Sequence, residues 1–330
     1  MENIFYIKGK EMGKKIDDNL LSVDLGYSSA KYYFKRNGKE IFGKIPTAIF
    51  NLPDDTKTDD YLEYKGKKYL IGDKAIIKRD IDLEMDIENL IKYAPLFICE
   101  IIMQNDINTD GLNLITGLSI KDLAFDSKLI DELSNFKIGD IEYKINVSLL
   151  PQGRGISYDY FRDKKMAETV AIMDIGYHTF DFVALYDGKM DLDDSFANSD
   201  GVNLALKEVV NKIYDRHNIE RNTAEINSAV LGNKMIFHRG KSIDISDIVF
   251  ECVEEYLKKT KKMCDSSKKV NQVLDRANLI IVGGGGAYLL KTLKEDKISE
   301  IFGGANITFC EEPCEFSNAR GYYIRQNSKV

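Results

Sequence analysis

Two segments of the chain carry one pattern at an offset of 150 residues, and this pattern decides the fold. Residues 20–38 read LLSVDLGYSSAKYYFKRNG, and residues 170–188 read VAIMDIGYHTFDFVALYDG. Each segment has a short apolar run, an Asp-x-Gly turn, a second run rich in β-formers and an Asn-Gly or Asp-Gly pair, which together predict a β-hairpin. Two equivalent hairpins in register predict two copies of one domain, whose acidic turns could face one shared site.

The length of the chain agrees with this duplication. A chain of 330 residues fits two domains of roughly 150 residues each. We expect domain I at 1–151, with a small inserted subdomain at about 46–82 and the C-terminal helix 316–330 returning to it. Domain II is expected at 152–315, with a subdomain at about 217–250. Strands alternate with helical patterns, which predicts the α/β class.

Composition and charge limit the classes of function. The chain is 44% hydrophobic and 30% charged, with a formal net charge of -7. The negative charge argues against direct, non-specific nucleic-acid binding, although an adaptor could still link the protein to DNA. No stretch approaches the ~20 apolar residues of a membrane span. The first 19 residues are expected to be an extension, and they lack the apolar core of a signal peptide.

The cysteines indicate a reduced, cytoplasmic chain. There are five of them, an odd number, and they are scattered except for Cys310 and Cys314. This pair could bind a metal, but no second pair and no nearby histidine completes such a site. Two thiols without a metal are the simpler interpretation.

Several elements can be predicted from periodicity. Apolar residues at helical spacing predict a helix over 87–103, which Pro95 should kink or split. A strand is expected over 141–150 and a helix over 222–236. The apolar strand 279–282 runs into four glycines, after which a helix is expected over 287–293.

The Asp-x-Gly turns have the chemistry of a phosphate site. The glycine permits a tight bend, and successive N–H groups in such a turn can bind an anion. Hydroxyls follow in both copies, and Lys31 adds a positive charge in the first. The carboxylates of Asp24 and Asp174 would repel a phosphate unless Mg²⁺ and its waters lay between them. A plain hairpin turn is the alternative for one copy alone, but two copies in register favour the site.

Two further features fit a nucleotide site. The four-glycine run lies between a strand and a helix, where backbone can approach a ligand closely. It matches neither the P-loop, which ends in Gly-Lys-Ser/Thr, nor the Rossmann spacing. Gln152 lies at the junction of the two halves, and a glutamine there could orient an attacking water. The alternatives are a packing turn for the glycines and an exposed polar residue for Gln152.

Together these motifs resemble the actin-like ATPase superfamily. The segments that begin at Asp24 and Asp174 resemble its two phosphate motifs, and Ile281-Val-Gly-Gly-Gly285 resembles its adenosine motif. Pro151-Gln-Gly153 and Asn318-Ala-Arg-Gly-Tyr322 stand where its two connecting segments would be. Ser199-Asp-Gly-Val-Asn203 and the Asn-Ala-Arg-Gly-Tyr ending are most similar to the plasmid-segregation actins of the ParM/StbA group.

The resemblance implies two ribonuclease-H-like domains with a nucleotide cleft between them, and it implies roles for particular residues. Asp24 and Asp174 would hold Mg²⁺ through water, and Gln152 would position the lytic water, so these three are the candidate catalytic residues. His178 is expected to point outward rather than act as a base. The candidate nucleotide-binding residues belong to the two phosphate loops, the segment after the second hairpin and the glycine run. They are Gly26, Tyr27, Ser28, Ser29, Lys31, Gly176, Tyr177, His178, Thr179, Asp181, Gly201, Gly283, Gly284, Gly285 and Gly286.

The function implied by the resemblance is an ATPase that forms filaments and segregates plasmid DNA. ATP, or GTP, with Mg²⁺ would favour assembly, and hydrolysis would destabilise the homopolymer. A DNA-binding adaptor protein would be required because the chain is acidic. The main alternative is a sugar or acid kinase of the same superfamily, which would need an aspartate base next to a substrate hydroxyl. A chaperone ATPase would need a further domain, and a membrane-bound filament would need an amphipathic or apolar anchor.

Overall fold

A computed structural model describes residues 14–53, 55, 56, 58, 60–78 and 85–327. Three predicted segments lie partly outside the described residues: the extension at 1–13, the inserted subdomain at 54, 57, 59 and 79–82, and the C-terminal helix at 328–330. The chain divides into two compact units. Unit 1 comprises the residues up to 118, residues 122–151 and the residues from 319 onward. Unit 2 comprises residues 119–121 and 152–318.

Unit 1 is built from short strands and a few helices. Its strands are β1 (Leu20–Leu25), β2 (Ser29–Arg36), β3 (Lys39–Pro46), β4 (Ile49–Leu52), β5 (Leu62–Tyr64), β6 (Lys67–Ile71), β7 (Asn113–Leu118), β8 (Asn135–Ile138), β9 (Ile141–Lys144) and β10 (Asn146–Pro151). Its helices are α1 (Asp73–Ile76), α2 (Ile87–Gln104) and α3 (Asp126–Ser134).

Unit 2 contains more helix. Its strands are β11 (Thr169–Ile175), β12 (Phe180–Tyr186), β13 (Lys189–Asn198), β14 (Met235–His238), β15 (Lys241–Asp244), β16 (Leu279–Gly283) and β17 (Ile307–Phe309). Its helices are α4 (Arg154–Tyr160), α5 (Asn203–His217), α6 (Thr223–Leu231), α7 (Ser246–Ser266), α8 (Lys268–Arg276), α9 (Ala287–Leu290) and α10 (Glu295–Ile301). The last helix, α11 (Ser317–Asn327), begins in unit 2 and continues in unit 1.

The main sheets of the two units have the same topology. In unit 1 the strand order is β3-β2-β1-β7-β10, and in unit 2 it is β13-β12-β11-β16-β17. The first three strands of each sheet are antiparallel and the remaining two join in parallel. Asp24 lies opposite Gly117 on the fourth strand, and Asp174 lies opposite Gly283. The duplication in the sequence is therefore a duplication of the whole sheet.

Each unit has its own hydrophobic core. The central strands β1 and β11 are buried at every position, which explains their continuous apolar runs. In unit 2, α7 buries a stripe of residues against the core, including Val249, Val253 and Leu257. Full burial of such a side chain contributes roughly 1.5–3 kcal/mol.

The predicted hairpin turns are confirmed. At each of them two successive residues have positive φ, which matches the right-handed twist of the flanking strands. Each of these pairs ends in glycine because a side chain is disfavoured there. The predicted turns are Asn37-Gly38 and Asp187-Gly188, and the turns Lys65-Gly66 and Arg239-Gly240 join β5 to β6 and β14 to β15 in the same way.

Four predicted elements differ from the structure, and the shortest of them, the helix expected over 287–293, ends at Leu290. Helix α2 runs through Pro95 without a break, and Pro95 is buried, so the helix is not split there, while the alternative of a kink stays a prediction. The strand expected at 141–150 is two strands, since β9 pairs with β8 whereas β10 pairs with β7. The helix expected at 222–236 ends at Leu231, because Gly232 follows and the chain turns into the hairpin of β14 and β15.

Smaller sheets stand apart from the main ones. In the segment predicted as an inserted subdomain, β4, β6 and β5 form a separate antiparallel sheet. Strands β14 and β15 form another in unit 2. Within the described residues, no helix combines the length and apolar character that a membrane crossing requires.

Candidate functional site

The two Asp-x-Gly loops have the same local structure. The N–H of Gly26 donates to the carbonyl of Ser29 at 3.1 Å, and the N–H of Gly176 donates to the carbonyl of Thr179 at 2.8 Å. The sequence of buried, intermediate and exposed positions is identical over 21–30 and 171–180. In both loops the aspartate is buried and the position four residues later is exposed, as Ser28 and His178.

In unit 1 the loop is fixed by contacts on both sides. The Nζ of Lys31 lies 3.3 Å from Oδ2 of Asp24, which is only 4% exposed. Thr47 holds the loop by donating its hydroxyl to the carbonyl of Tyr27 and its N–H to the carbonyl of Ser28. The hydroxyl of Tyr27 donates to Asp122 at 2.7 Å. Lys31 is therefore the positive group that the loop presents, as the sequence suggested.

In unit 2 the side chain of Asn318 connects two of the predicted catalytic positions. Its Nδ2 donates to Oδ2 of Asp174 at 2.6 Å, and its Oδ1 accepts from the N–H of Gly153 at 3.0 Å. Gln152, which directly precedes Gly153, is buried, as is Asp174. The amide of Asn318 thus holds the Gln152 turn in a fixed relation to the Asp174 carboxylate.

The glycine run packs against the loop of Asp174. Gly284 has φ +79°, and a Cβ at this position would lie 2.5 Å from Oδ1 of Asp174. Gly286 donates its N–H to the carbonyl of Ile175 at 2.7 Å. Gly285 is exposed, and a Cβ there would meet its nearest neighbour, Glu315, at an ordinary 3.7 Å. Gly284 is therefore required by geometry, whereas Gly285 presents open backbone to solvent.

The start of α5 covers the other side of the same loop. Val202 and Asn203 donate their N–H groups to the carbonyls of Gly176 and Tyr177, at 3.1 and 3.0 Å. A Cβ on Gly201 would approach the carbonyl of Tyr177 to 2.4 Å, which explains the glycine. The loop of Asp174 is therefore enclosed by Gly201 and Gly286, two of the predicted nucleotide-binding glycines.

His178 faces outward from this loop. It is exposed, and its Nδ1 lies 3.2 Å from Nδ2 of Asn203. Partial desolvation of the ring, together with the charges of Lys207 and Lys121, lowers the pKa of His178 below its usual value. The imidazole is therefore neutral at pH 7, and its Nδ1 can accept from the Asn203 amide.

Asp181 differs from its counterpart Lys31 in environment as well as in charge. Its carboxylate is buried and accepts from the hydroxyl of Ser119 at 2.7 Å and from the N–H of Ile120 at 3.0 Å. Burial, with the nearby negative charge of Asp174, raises the pKa of Asp181 to about 7. The contact that the sequence predicted between Asp181 and nucleotide remains a prediction.

The donor set is compatible with a water-bound Mg²⁺. Among the described residues, no group of three or more His, Cys, Asp or Glu side chains could hold a metal ion by itself. Mg²⁺ in nucleotide sites keeps several waters and uses one or two carboxylates with the phosphates, so it needs no such cage. Asp24 and Asp174, each near the end of a buried strand, stay the predicted carboxylate ligands of such an ion.

Sequence inspection missed two residues. Gly117 is the counterpart of Gly283 in the sheet of unit 1, and a Cβ there would lie 2.0 Å from the hydroxyl of Tyr322. Asn318 was part of a matched motif but was assigned no role. Gly117 lies near the end of β7, and only the pairing of β7 with β1 places it opposite Asp24, as Gly283 lies opposite Asp174.

Comparison with known proteins supports the resemblance. Residues 172–295 match a family model described as the C-terminal part of the archaeal actin homologue MreB-like. A sequence comparison with curated proteins gave no match.

Solved structures of actin homologues match nearly the whole chain. The archaeal actin homologue Ta0583 in complex with ADP matches with a TM-score of 0.72 and 19% identity, over 94% of this chain and 99% of that one. A 15-stranded ParM filament from Clostridium botulinum matches with 0.67 and 18%, over 93% and 99%. Bacillus thuringiensis ParM with ATP matches with 0.64 and 17%, over 93% and 98%. The chain therefore has the fold of the actin homologues, as its repeated motifs predicted.

Proposed function

We propose that this protein binds ATP with Mg²⁺, hydrolyses it and assembles into filaments. The observation that carries the proposal is the duplicated sheet with one Asp-x-Gly loop in the same register in each copy. Such loops offer backbone N–H groups to phosphate and a carboxylate to a hydrated metal. Similar folds have been solved with ADP and with ATP, in the archaeal homologue and in Bacillus thuringiensis ParM.

The residues of the two loops have separate roles in this proposal. Lys31 and the backbone N–H groups that follow Gly26 and Gly176 bind phosphate oxygens, while Asp24 and Asp174 hold Mg²⁺ through its waters. Mg²⁺ held by these residues would supply positive charge against the charge that develops on the phosphates. Gln152 positions the attacking water, and Asn318 is a positioning residue that acts through Gln152 and Asp174. The open backbone at Gly285 receives the nucleoside.

The same comparison and the surface of unit 2 support the proposal of polymerisation. ParM of similar fold forms a filament. A hairpin of this chain, β14 to β15, carries Phe237 with 72% of its surface exposed. We propose that the filament segregates plasmid DNA through an adaptor protein, because the net charge of -7 disfavours direct contact with DNA. The proposed location is the cytoplasm.

Two variants test hydrolysis. Gln152→Ala should slow phosphate release by a factor on the order of 10²–10³, which is typical for groups that position water or stabilise charge in the transition state. Asp174→Ala should still bind nucleotide but lose most hydrolysis, so that its filaments persist longer. Phosphate release by Asp174→Ala at the wild-type rate would refute its role. Turnover that requires an added sugar or acid would favour a kinase instead.

A further inference from the structure

A pair of thiols lies at the end of β17, next to the glycine run. Cys310 follows β17 directly and donates its N–H to the carbonyl of Val282 at 2.9 Å. The chain then turns back, so that Sγ of Cys314 lies 3.4 Å from the carbonyl of Cys310 and Sγ of Cys310 lies 3.7 Å from the carbonyl of Cys314. Both cysteines are free and buried. The turn therefore holds two sulfur atoms together without a bond between them.

The surroundings of this pair favour a thiolate on Cys314. The Nζ of Lys291 lies 3.4 Å from its Sγ, and the Lys291 side chain is partly exposed. The neighbouring Cys310 thiol and the positive charge of Lys291 lower the pKa of Cys314, although burial and the nearby Glu312 oppose this. Thiolates are the reactive form of cysteine.

The remaining cysteines provide a contrast within the same chain. Burial raises the pKa of Cys99 to about 12, of Cys252 to about 11 and of Cys264 to about 12. All three are buried and none is paired with a second cysteine among the described residues. Thiols of this kind are unreactive.

We propose that Cys310 and Cys314 are an oxidation site, which a hydroperoxide converts into an intramolecular disulfide. The Cys314 thiolate attacks the O–O bond of the hydroperoxide, forming a sulfenic acid and releasing an alkoxide or hydroxide, which takes up the proton that Cys314 had lost. Cys310 then attacks the sulfenic sulfur, the S–S bond forms, and the Cys310 proton leaves with the sulfenic hydroxyl as water. Two thiols are oxidised and one hydroperoxide is reduced.

Burial of the pair does not prevent this chemistry. The Cys314 thiol lies one side chain beneath the surface, since Lys291 both contacts it and reaches solvent. Helix α9 is a single short helix of four residues, and local opening of such elements admits small reagents. A metal site is a weaker interpretation, because a stable site would need ligands beyond two thiolates and no larger cluster exists among the described residues.

The position of the pair connects oxidation to the candidate nucleotide site. The N–H of Cys314 donates to the hydroxyl of Tyr288, on the helix that follows the glycine run. The carbonyl of Cys314 accepts from the hydroxyl of Ser317, which directly precedes Asn318. A new S–S bond would shift the backbone that carries these contacts. We therefore expect oxidation to weaken ATP binding, and this second part rests on the proposed function.

Peptide mapping tests the oxidation site directly. The folded protein is treated with hydrogen peroxide, denatured, alkylated and digested with trypsin. Residues 298–320 then form one tryptic peptide that contains both cysteines. We expect this peptide to be lighter by two hydrogens and to escape alkylation, while the other cysteines are alkylated as before. Retention of both thiols, or oxidation of Cys314 to higher acids without a bridge, would overturn the inference.

Variants distinguish this chemistry from general sensitivity to oxidant. Lys291→Gln should slow bridge formation by about tenfold, since less Cys314 would be ionised near pH 7. The matched control is Lys294→Gln, an exposed lysine three residues away, which should leave the rate unchanged. Equal rates in Lys291→Gln and wild type would contradict the role of the lysine. Cys310→Ser should form no intramolecular bridge.

Binding of a fluorescent ATP analogue distinguishes failure of the oxidation site from failure of the nucleotide site. Reduced protein should bind it, oxidised protein should bind it at least about tenfold more weakly, and dithiothreitol should restore binding. If the bridge forms but reduced protein binds no nucleotide, the proposed function fails and the oxidation site stands. If reduced protein binds nucleotide and no bridge forms, the oxidation site fails alone.

Discussion

At the level of single residues, the position of the Asp174 carboxylate leaves no room for a side chain at residue 284. Gly284 has positive φ and lies so close to Oδ1 of Asp174 that a Cβ would approach it to 2.5 Å. Gly285, the next residue, has neither constraint. A run of four glycines in the sequence therefore contains positions with different physical reasons for glycine, and substitution can separate them.

Alanine at these two positions should have unequal effects. Gly284→Ala should lower the free energy of unfolding by about 2 kcal/mol or more, because an alanine in the left-handed region costs roughly 1–2 kcal/mol and the contact with Asp174 adds strain. Its ATP hydrolysis should fall as well. Gly285→Ala is the control and should keep wild-type stability in thermal unfolding. Equal melting temperatures for the two variants would contradict the geometry described for Asp174.

The second prediction for a single residue concerns Asn318. Asn318→Ala removes the amide that joins Asp174 to Gly153, so hydrolysis should fall by about 10- to 100-fold while ATP binding changes less. Asn327→Ala is a matched control on the same helix, since Asn327 is exposed and its amide donates to Asp18. Phosphate release and nucleotide titration are measured for both variants. A normal turnover rate in Asn318→Ala would remove Asn318 from the site.

At the level of elements, periodicity and turn chemistry predicted the parts that are locally determined. The hairpins at 20–38 and 170–188 follow from alternation and from Asn-Gly or Asp-Gly turns, and they are present as predicted. Elements that depend on distant partners were not predictable. Strand β17 has only three residues and is fixed by pairing with β16. Likewise α2 continues through Pro95 because burial on all sides outweighs one lost hydrogen bond.

The same limit applies to the site. The two loops could be identified from the sequence because each is contiguous and each carries its own glycine and hydroxyls. The contact of Asn318 with Asp174 spans 144 positions of the chain and is determined only by packing. The pairing of Gly117 with Asp24 depends on which strands are neighbours, and no local pattern encodes that.

The hairpin of β14 and β15 gives a prediction about assembly. Phe237 is 72% exposed, and its neighbours Arg239 and Lys241 are exposed and basic on a chain of net charge -7. Because the chain as a whole is acidic, the basic residues around this apolar side chain would attract a second copy of it. Phe237→Ala should raise the critical concentration for polymerisation about tenfold, a loss of roughly 1.4 kcal/mol per contact.

A second exposed apolar residue provides the control for the hairpin. Leu192 is 56% exposed on β13 and lies in the same unit, in a stretch with three aspartates rather than basic residues. Leu192→Ala should polymerise at the wild-type critical concentration. Light scattering over a range of protein concentrations measures both variants, and an unchanged value for Phe237→Ala would remove the hairpin from the contact.

At the level of the whole molecule, the two units share one sheet topology and differ in charge at one matched position. Both units carry the same strand order and the same Asp-x-Gly loop, but Lys31 on one side corresponds to Asp181 on the other. Lys31 is paired with Asp24, whereas Asp181 is buried against Ser119. The duplication thus gives two loops of the same structure. Because lysine in the first corresponds to aspartate in the second, only the first carries a positive charge. That asymmetry suits a phosphate chain better than a symmetric ligand.

The central claim is that nucleotide binding at these loops drives assembly. It is tested most directly by sedimentation of the purified protein at tens of micromolar with Mg²⁺ and ATP, ADP or no nucleotide, with electron microscopy of the pellet. We expect filaments in the pellet with ATP, their loss as ATP is consumed, and their persistence in Asp174→Ala. Protein that stays in the supernatant with every nucleotide would contradict the claim.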